Sequence, residues 1–326
     1  MAMMLNRREF VGAAAATAAS SGAFAQTTDW PNGVIKSVCP FQPGSGADLK
    51  ARFYADKLAK KLGATVVVEN RAGAMGYIAT EYVARSKPDG LTIYVSPGSS
   101  SFAAAPALFK TLRFDPVNDF EHIALLNFAA FALCVPADKP FKTLADLTPY
   151  LKQKGAKGSY ASVAPPSVVF GETYKARFGL ETVEIKYKEA APIIGDLING
   201  VIDFTCIDLI SVAGFIKSGS LRPLAMACAE RMKASPDIPG AAEAGIPDFD
   251  LKGWWSVAVP AKTPKPICDR LEALFREIAA QPDTIEFLTI NGSDPMIGGA
   301  AETKALVIDD TKRWKDYARL AKIEPV

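Results

Sequence analysis

Apolar positions along this chain recur in two alternating patterns. Short β-branched or apolar runs, bounded by glycine, proline or aspartate, are separated by longer stretches whose apolar residues return every three to four positions. The first pattern predicts strands at 34–39, 65–68 and 91–95. The second predicts helices at 48–62 and 76–85. In the 48–62 helix Ala51, Ala55, Leu58 and Leu62 share one face, and Gly63 ends it. A second set follows, with strands at 131–135, 158–162, 183–187 and 201–207. Helices are predicted at 144–154, 167–178, 192–198 and 209–217. The run 221–227 reads as a strand returning to the first unit, and the tail adds a strand at 254–259 and helices at 266–279 and 301–323. Strands alternating with amphipathic helices imply α/β architecture, with parallel sheets built from right-handed βαβ units. At 326 residues the chain is long enough for two such units. It is expected to leave the first near Asn127 and return near Cys228. Lobe one is then 26–126 plus 228–326, lobe two is 127–227, and the two crossings form a hinge.

The first 25 residues fit no part of this pattern. Arg7 and Arg8 precede an Ala-rich run, and Ala23-Phe24-Ala25 is a cleavage site of the A-x-A kind. Residues 1–25 are therefore expected to be an export signal. The paired arginines resemble the twin-arginine signal, with general secretion as the alternative.

Composition narrows the function. Hydrophobic residues at 49% and charged ones at 22% describe a globular chain, and no later stretch is long and apolar enough to span a bilayer. Without Arg7, Arg8 and Glu9, the 37 basic and 35 acidic residues become 35 and 34. That balance gives no reason to expect nucleic acid as a partner. The five cysteines form no C-x-x-C pair; buried unpaired thiols are expected, with one disulfide as the alternative. The lone histidine, His122, stands at a strand entry and is read as structural. One histidine and scattered cysteines leave no ligand set for a His- or Cys-rich zinc site. The G-x-S-x-G, S-x-x-K and phosphate-loop motifs are all missing, and Gly44-Ser45-Gly46 lacks the third glycine of a dinucleotide loop. These absences leave no recognisable metal or phosphate-loop site, and catalysis by carboxylates alone stays open as an alternative.

The candidate chemistry lies in turns between strands and helices. Gly44, Ser45, Gly46, Ala47 and Asp48 join the first strand to the first helix, where small residues expose backbone N–H groups that lack helical acceptors. With the helix dipole, such a turn can hold an anion; the alternative is an ordinary turn whose glycines serve geometry alone. Asp48 is expected to cap the helix or fix the loop. Ser99 and Ser100 follow the third strand, and Ser162, Ala164, Pro165 and Ser167 follow the 158–162 strand. Asp208 follows the 201–207 strand. If the lobes face each other through these strand ends, all four turns meet in one cleft.

These residues also carry a family resemblance. Pro40-Phe-Gln-Pro-Gly-Ser-Gly-Ala-Asp48, Val68-Glu-Asn-Arg-Ala-Gly73 and Pro88-Asp-Gly90 are similar to motifs of the Bug (TctC-like) receptors of tripartite tricarboxylate transporters. So are Tyr187-Lys-Glu-Ala-Ala-Pro192, Gly200-Val-Ile-Asp203, Ala242-Glu-Ala-Gly-Ile-Pro247 and Ala258-Val-Pro-Ala-Lys-Thr-Pro264. The resemblance implies a two-lobed type II periplasmic-binding fold with the ligand between the lobes. It implies a periplasmic location, no cofactor, a small carboxylate ligand and integral membrane transporter subunits as partners. A sensor kinase is the alternative partner, and a monomer is expected. By the same resemblance the binding loops are 41–48, beginning at Phe41, and 162–167. The second loop departs from the family: it is shorter, has Pro165 and Pro166, and has Val168 where a histidine is usual. Glu189 replaces a usual glycine. Because proline has no N–H, this loop is expected to favour monocarboxylates or aromatic carboxylates over tricarboxylates. If export uses the twin-arginine route, changing Arg7 and Arg8 to lysine strands precursor in the cytoplasm; normal export of that variant, read by fractionation, leaves general secretion.

Overall fold

The computed structural model describes residues 30–325, so the expected signal segment lies outside the described residues. The strands in the first half are β1 (Ile35–Cys39), β2 (Val66–Asn70), β3 (Thr92–Pro97), β4 (Phe120–Ala129) and β5 (Phe131–Pro136). They are followed by β6 (Ser159–Ser162), β7 (Val183–Lys186), β8 (Phe204–Asp208), β9 (Leu221–Met226), β10 (Gly253–Pro260) and β11 (Ser293–Gly298). The helices are α1 (Gly46–Leu62), α2 (Tyr77–Ala84), α3 (Ala105–Leu108), α4 (Leu144–Lys154) and α5 (Pro165–Phe178). Then come α6 (Ala190–Ile198), α7 (Leu209–Lys217), α8 (Lys265–Ala279), α9 (Pro282–Ile290) and α10 (Ala300–Leu320).

Two sheets result, one of six strands in the order β11-β4-β10-β3-β1-β2 and one of five in the order β7-β6-β8-β5-β9. Both are mixed rather than parallel. In each, only the three strands linked by helices run parallel, β2-β1-β3 and β7-β6-β8. The strands next to the crossings are antiparallel, because they enter from the other sheet. The 221–227 run stays in the second sheet as edge strand β9 beside β5, so its expected return to the first unit is corrected. Three further elements break the sequence pattern. A π-type turn over Ser99–Ala103 leads into short α3, α9 begins at Pro282 directly after α8, and edge strand β11 carries Pro295 and an irregular register. Proline is tolerated at such an edge but hides the strand from a propensity reading.

The chain passes between the sheets at Ala130, between β4 and β5, and returns between β9 and β10. These crossings touch. Gly253 of β10 pairs with Ala129, and a Cβ on Gly253 would lie 2.8 Å from the Ala129 carbonyl oxygen. The returning segment rests on both units: Phe249 stacks on Phe170 of α5 at 5.3 Å, while Asp294 of β11 accepts the N–H groups of Lys233 and Ala234. Helix α10 is pinned beneath the first sheet by buried Trp254, whose indole N–H donates to Asp310 at 2.8 Å. All five cysteines are free, and burial raises the thiols of Cys39 and Cys134 to about 12.

His122 lies inside β4 in this core. Its Nε2 is 3.0 Å from the Pro116 carbonyl, and its ring stands edge-on to Phe102 at 5.0 Å. Burial lowers its pKa to about 4, against a partly offsetting bond to Pro116, and nearby Lys304 lowers it further. The folded protein thus holds His122 neutral where the unfolded chain takes up a proton. Stability should fall as pH drops from about 6.5 towards 4, by about 2 kcal/mol between pH 7 and 5. Urea titrations at both pH values should show a smaller loss in His122→Gln; an equal loss would place the sensitivity elsewhere.

Candidate functional site

The turn after β1 is built around Asp48. Ser45 caps α1, its hydroxyl accepting the Asp48 N–H at 3.2 Å, so the cap falls to Ser45 and Asp48 takes the loop-fixing role. Its carboxylate accepts the Gly44 N–H, Arg52 Nε and the Asn70 amide, each at 2.9 Å. Burial alone would raise this carboxyl, but the bonds from Arg52, Gly44 and Asn70 outweigh it and hold the pKa below its ordinary value. Gly44 adopts φ 81°, a conformation costly for other residues, and so turns its N–H inward. Four N–H donors are expected from the sequence, yet Gly44 is engaged by Asp48 and Ser45 by the Gln42 carbonyl. Among the described residues, the N–H groups of Gly46 and Ala47 have no protein acceptor. They are the first two of the helix, at its positive end.

These groups open onto a cavity of about 520 Å³ between the sheets, a size suited to a small organic molecule. Of the sequence candidates, Phe41, Gly44, Ser45, Gly46, Ala47, Asp48, Ser99, Ser100, Ala164 and Asp208 line it. Ser162, Pro165 and Ser167 do not: the Ser162 hydroxyl turns to Glu184 at 2.6 Å, and Pro165 and Ser167 are buried at the start of α5. That helix presents no free N–H at its start. Pro165 and Pro166 have none, and those of Ser167 and Val168 return to the Ala164 carbonyl at 2.9 and 3.3 Å. The wall on the second-sheet side carries the apolar side chains of Phe131, Val163, Ile194, Ile210 and Phe215, with the charged Lys188 and Glu189 beside them just before α6. Asp208 caps α7, accepting from the N–H and hydroxyl of Ser211.

Among the residues of the opposite wall that sequence reasoning missed are Lys50 and Trp255. Lys50 is 1% exposed, donates to Ser293 Oγ at 3.1 Å and stands 4.9 Å from the centre of the Trp255 ring. Burial brings its pKa down to about 8, with Asp208 acting in the opposite sense. A sequence signal existed: Lys50 falls in phase with Tyr54 and Leu58 on the buried stripe of α1.

Residues 50–321 match the model of the tripartite tricarboxylate transporter family receptor, TctC. The chain belongs to the TctC receptor family. It is 28% identical over 292 residues to Protein BugT of Bordetella pertussis, covering 89% of this chain and 90% of that one. It is 30% identical over 313 residues to the UPF0065 protein in the tcbD-tcbE intergenic region of Pseudomonas sp. (strain P51), covering 95% of this chain and 92% of that one. Two solved structures are also similar. R. palustris Rpa4515 with adipate gives a TM-score of 0.86 at 29% identity, covering 91% of this chain and 100% of that chain. MatC from Rhodopseudomonas palustris with bound malate gives 0.81 at 27%, covering 88% and 99%. The two sheets and their helices are the lobes of a TctC receptor, with the cavity as the cleft between them, and the family is one of receptors rather than enzymes.

In this TctC receptor the lobes meet at Gly46. A Cβ there would collide with Ile210 Cγ2 of the opposite lobe and come within 3.1 Å of Asp208 Oδ1. Gly46→Val should hold the cleft open and weaken ligand binding at least tenfold, while the melting temperature of the ligand-free protein changes by less than about 3 °C. Calorimetric binding equal to wild type would mean that closure at Gly46 is not required.

Proposed function

We propose that this chain is a periplasmic receptor that captures a small organic carboxylate between its lobes. It then delivers the ligand, as a monomer, to the membrane subunits of a tripartite tricarboxylate transporter. The observation that carries this reading is the pair of unengaged N–H groups, Gly46 and Ala47, at the positive end of α1 and on the cleft wall. Family membership supports the transporter partner, and the adipate and malate of Rpa4515 and MatC support a carboxylate ligand. No helix among the described residues is long and apolar enough to cross a membrane. The lobes, 26–126 with 228–326 against 127–227, close about the crossings at Ala130 and between β9 and β10.

The ligand is held lopsidedly. One carboxylate meets Gly46 and Ala47, with Ser99 and Ser100 beside it, while Ala164, Phe131 and Ile194 bound the far end. Desolvating a second or third carboxylate against the apolar side chains of that wall, away from Lys188 and the start of α6, costs several kcal/mol. Monocarboxylates and aromatic carboxylates are therefore favoured over tricarboxylates. One observation favours a second reading, a dicarboxylate spanning the cleft: Ala190 and Ala191, the first residues of α6, line the cavity, and α6 has no side-chain cap.

A thermal-shift panel of citrate, succinate, adipate, benzoate, phthalate and nicotinate separates these readings. A bound acid at about 100 times its dissociation constant adds about 2.7 kcal/mol, a rise of several degrees for a chain of this size. Benzoate or nicotinate should give the largest shift and citrate the smallest. A dominant response to succinate or adipate selects the spanning dicarboxylate, tight citrate binding overturns the lopsided site, and no response to any acid overturns the carboxylate receptor.

A further inference from the structure

Lys50 occupies a position where an apolar residue would be expected. It sits one turn before Tyr54 on the buried stripe of α1, and it lines the cleft. A buried ammonium is costly unless its charge and its donors are matched. Here the match is incomplete. Ser293 Oγ is its one hydrogen-bond acceptor among the described residues, so two of its three N–H bonds have no protein partner. Trp255 of β10 offers its ring face. No carboxylate among the described residues lies within ion-pair distance of it. Lys188 and Glu189 line the same cleft from the second lobe, and the charged groups on the elements around Lys50 are otherwise engaged. Asp208, at the end of β8 and capping α7, acts from across the cleft while accepting from Ser211. Asp48 and Arg52 on its own helix bond each other, and Asp294 beside Ser293 accepts from Lys233 and Ala234. A second unpaired polar group lies on the same sheet face. Asn127 of β4 is fully buried, is register-matched to Trp255, and has neither amide atom hydrogen-bonded.

We propose that Lys50 is the charge-selecting residue of the cleft, pairing its ammonium with the ligand's carboxylate so that acids bind and their neutral amides do not. The proposal rests on the carboxylate-receptor reading and adds to it the group that discriminates by charge. The free N–H groups at Gly46 and Ala47 would donate to an amide carbonyl as well, so they alone separate the two poorly. An ammonium left buried without an anion does separate them, because the neutral twin leaves its charge unmatched. At neutral pH Lys50 carries its charge. Since burial has brought its pKa to about 8 and a bound anion raises it again, binding should take up a proton above that pH. Affinity should then weaken by up to tenfold per pH unit between pH 8 and the pKa of the bound state, and stay level from pH 6 to 7.5.

The test uses full-length mature protein with benzoate and adipate as probes, benzamide and adipamide as their neutral twins, and Lys50→Met as the variant. Wild type should bind at least one of the acids and neither amide. Lys50→Met should lose on the order of 100-fold in affinity for that acid, while its ligand-free melting temperature stays equal to or above wild type, because a chain of similar length replaces a buried charge. The pH profile of wild type supplies a second measure that needs no variant. Acid binding by Lys50→Met within threefold of wild type, amide binding equal to acid binding, or a flat wild-type profile from pH 7 to 9.5 overturns the role of Lys50 alone. Failure of wild type to bind either these acids or the rest of the carboxylate panel overturns the receptor reading, and Lys50's role with it.

Discussion

The carboxylate of Asp48 settles which backbone groups of the first turn face the cleft. By accepting from Gly44, Arg52 and Asn70 at once, it ties the loop after β1 to the start of α1 and to the end of β2. The loop then has one shape, and that shape removes two of its four N–H groups from use. What remains, Gly46 and Ala47, is smaller than the motif suggests but better placed, because both belong to the helix proper and lie at its positive end. Loss of the Asp48 charge would loosen three elements together, since Asn70 also holds the Phe41 carbonyl at 2.9 Å.

The two lobes repeat one topology with opposite chemistry. In each, a parallel trio of strands is extended by antiparallel strands next to the crossings, so α1 and α5 hold equivalent places after β1 and β6. Helix α1 begins with a capping serine and two unengaged donors. Helix α5 begins with two prolines and returns its next two N–H groups to Ala164. Pro165 at the first helical position suits the helix, whose first N–H lacks an internal acceptor in any case. The fold therefore loses nothing by the prolines, while the start of α5 offers the cleft no donor.

Most of the fold was legible because period-two and period-3.6 patterns alternate cleanly. The 144–154 and 209–217 helices match α4 and α7 at both ends. Strand direction was less legible. Hydrophobic period does not say which way a strand runs, and the crossing that turns β5 and β10 antiparallel is a long-range event. Edge strand β11 was hidden by Pro295, and α9 by its start immediately after α8. Within the cleft, the loops that supply backbone were read from glycine and serine, but which N–H groups stay free depends on Asp48 and Asn70, 22 residues apart. Phe131, Ile210 and Phe215 look in sequence like any core residue. Only the meeting of the lobes makes them a wall.

Lys50 ties these observations together, because its position is unfavourable on two counts. It sits in the apolar stripe of a helix, and it lies little more than one turn from that helix's positive end, where a cation is disfavoured. One penalty is desolvation and the other is the positive helix end, but both fall on the same charge, and an anion placed there would relieve both at once. Asp48, on the same first turn, is already neutralised by Arg52 and offers little relief. Asp208 lies on the other lobe, and Gly46, having no side chain to meet Ile210, lets it come close enough to act on Lys50. The approach of α7 to α1 and the charge are thus linked: it sets Asp208 near Lys50 and leaves the ammonium almost without water, where an unmatched charge costs most.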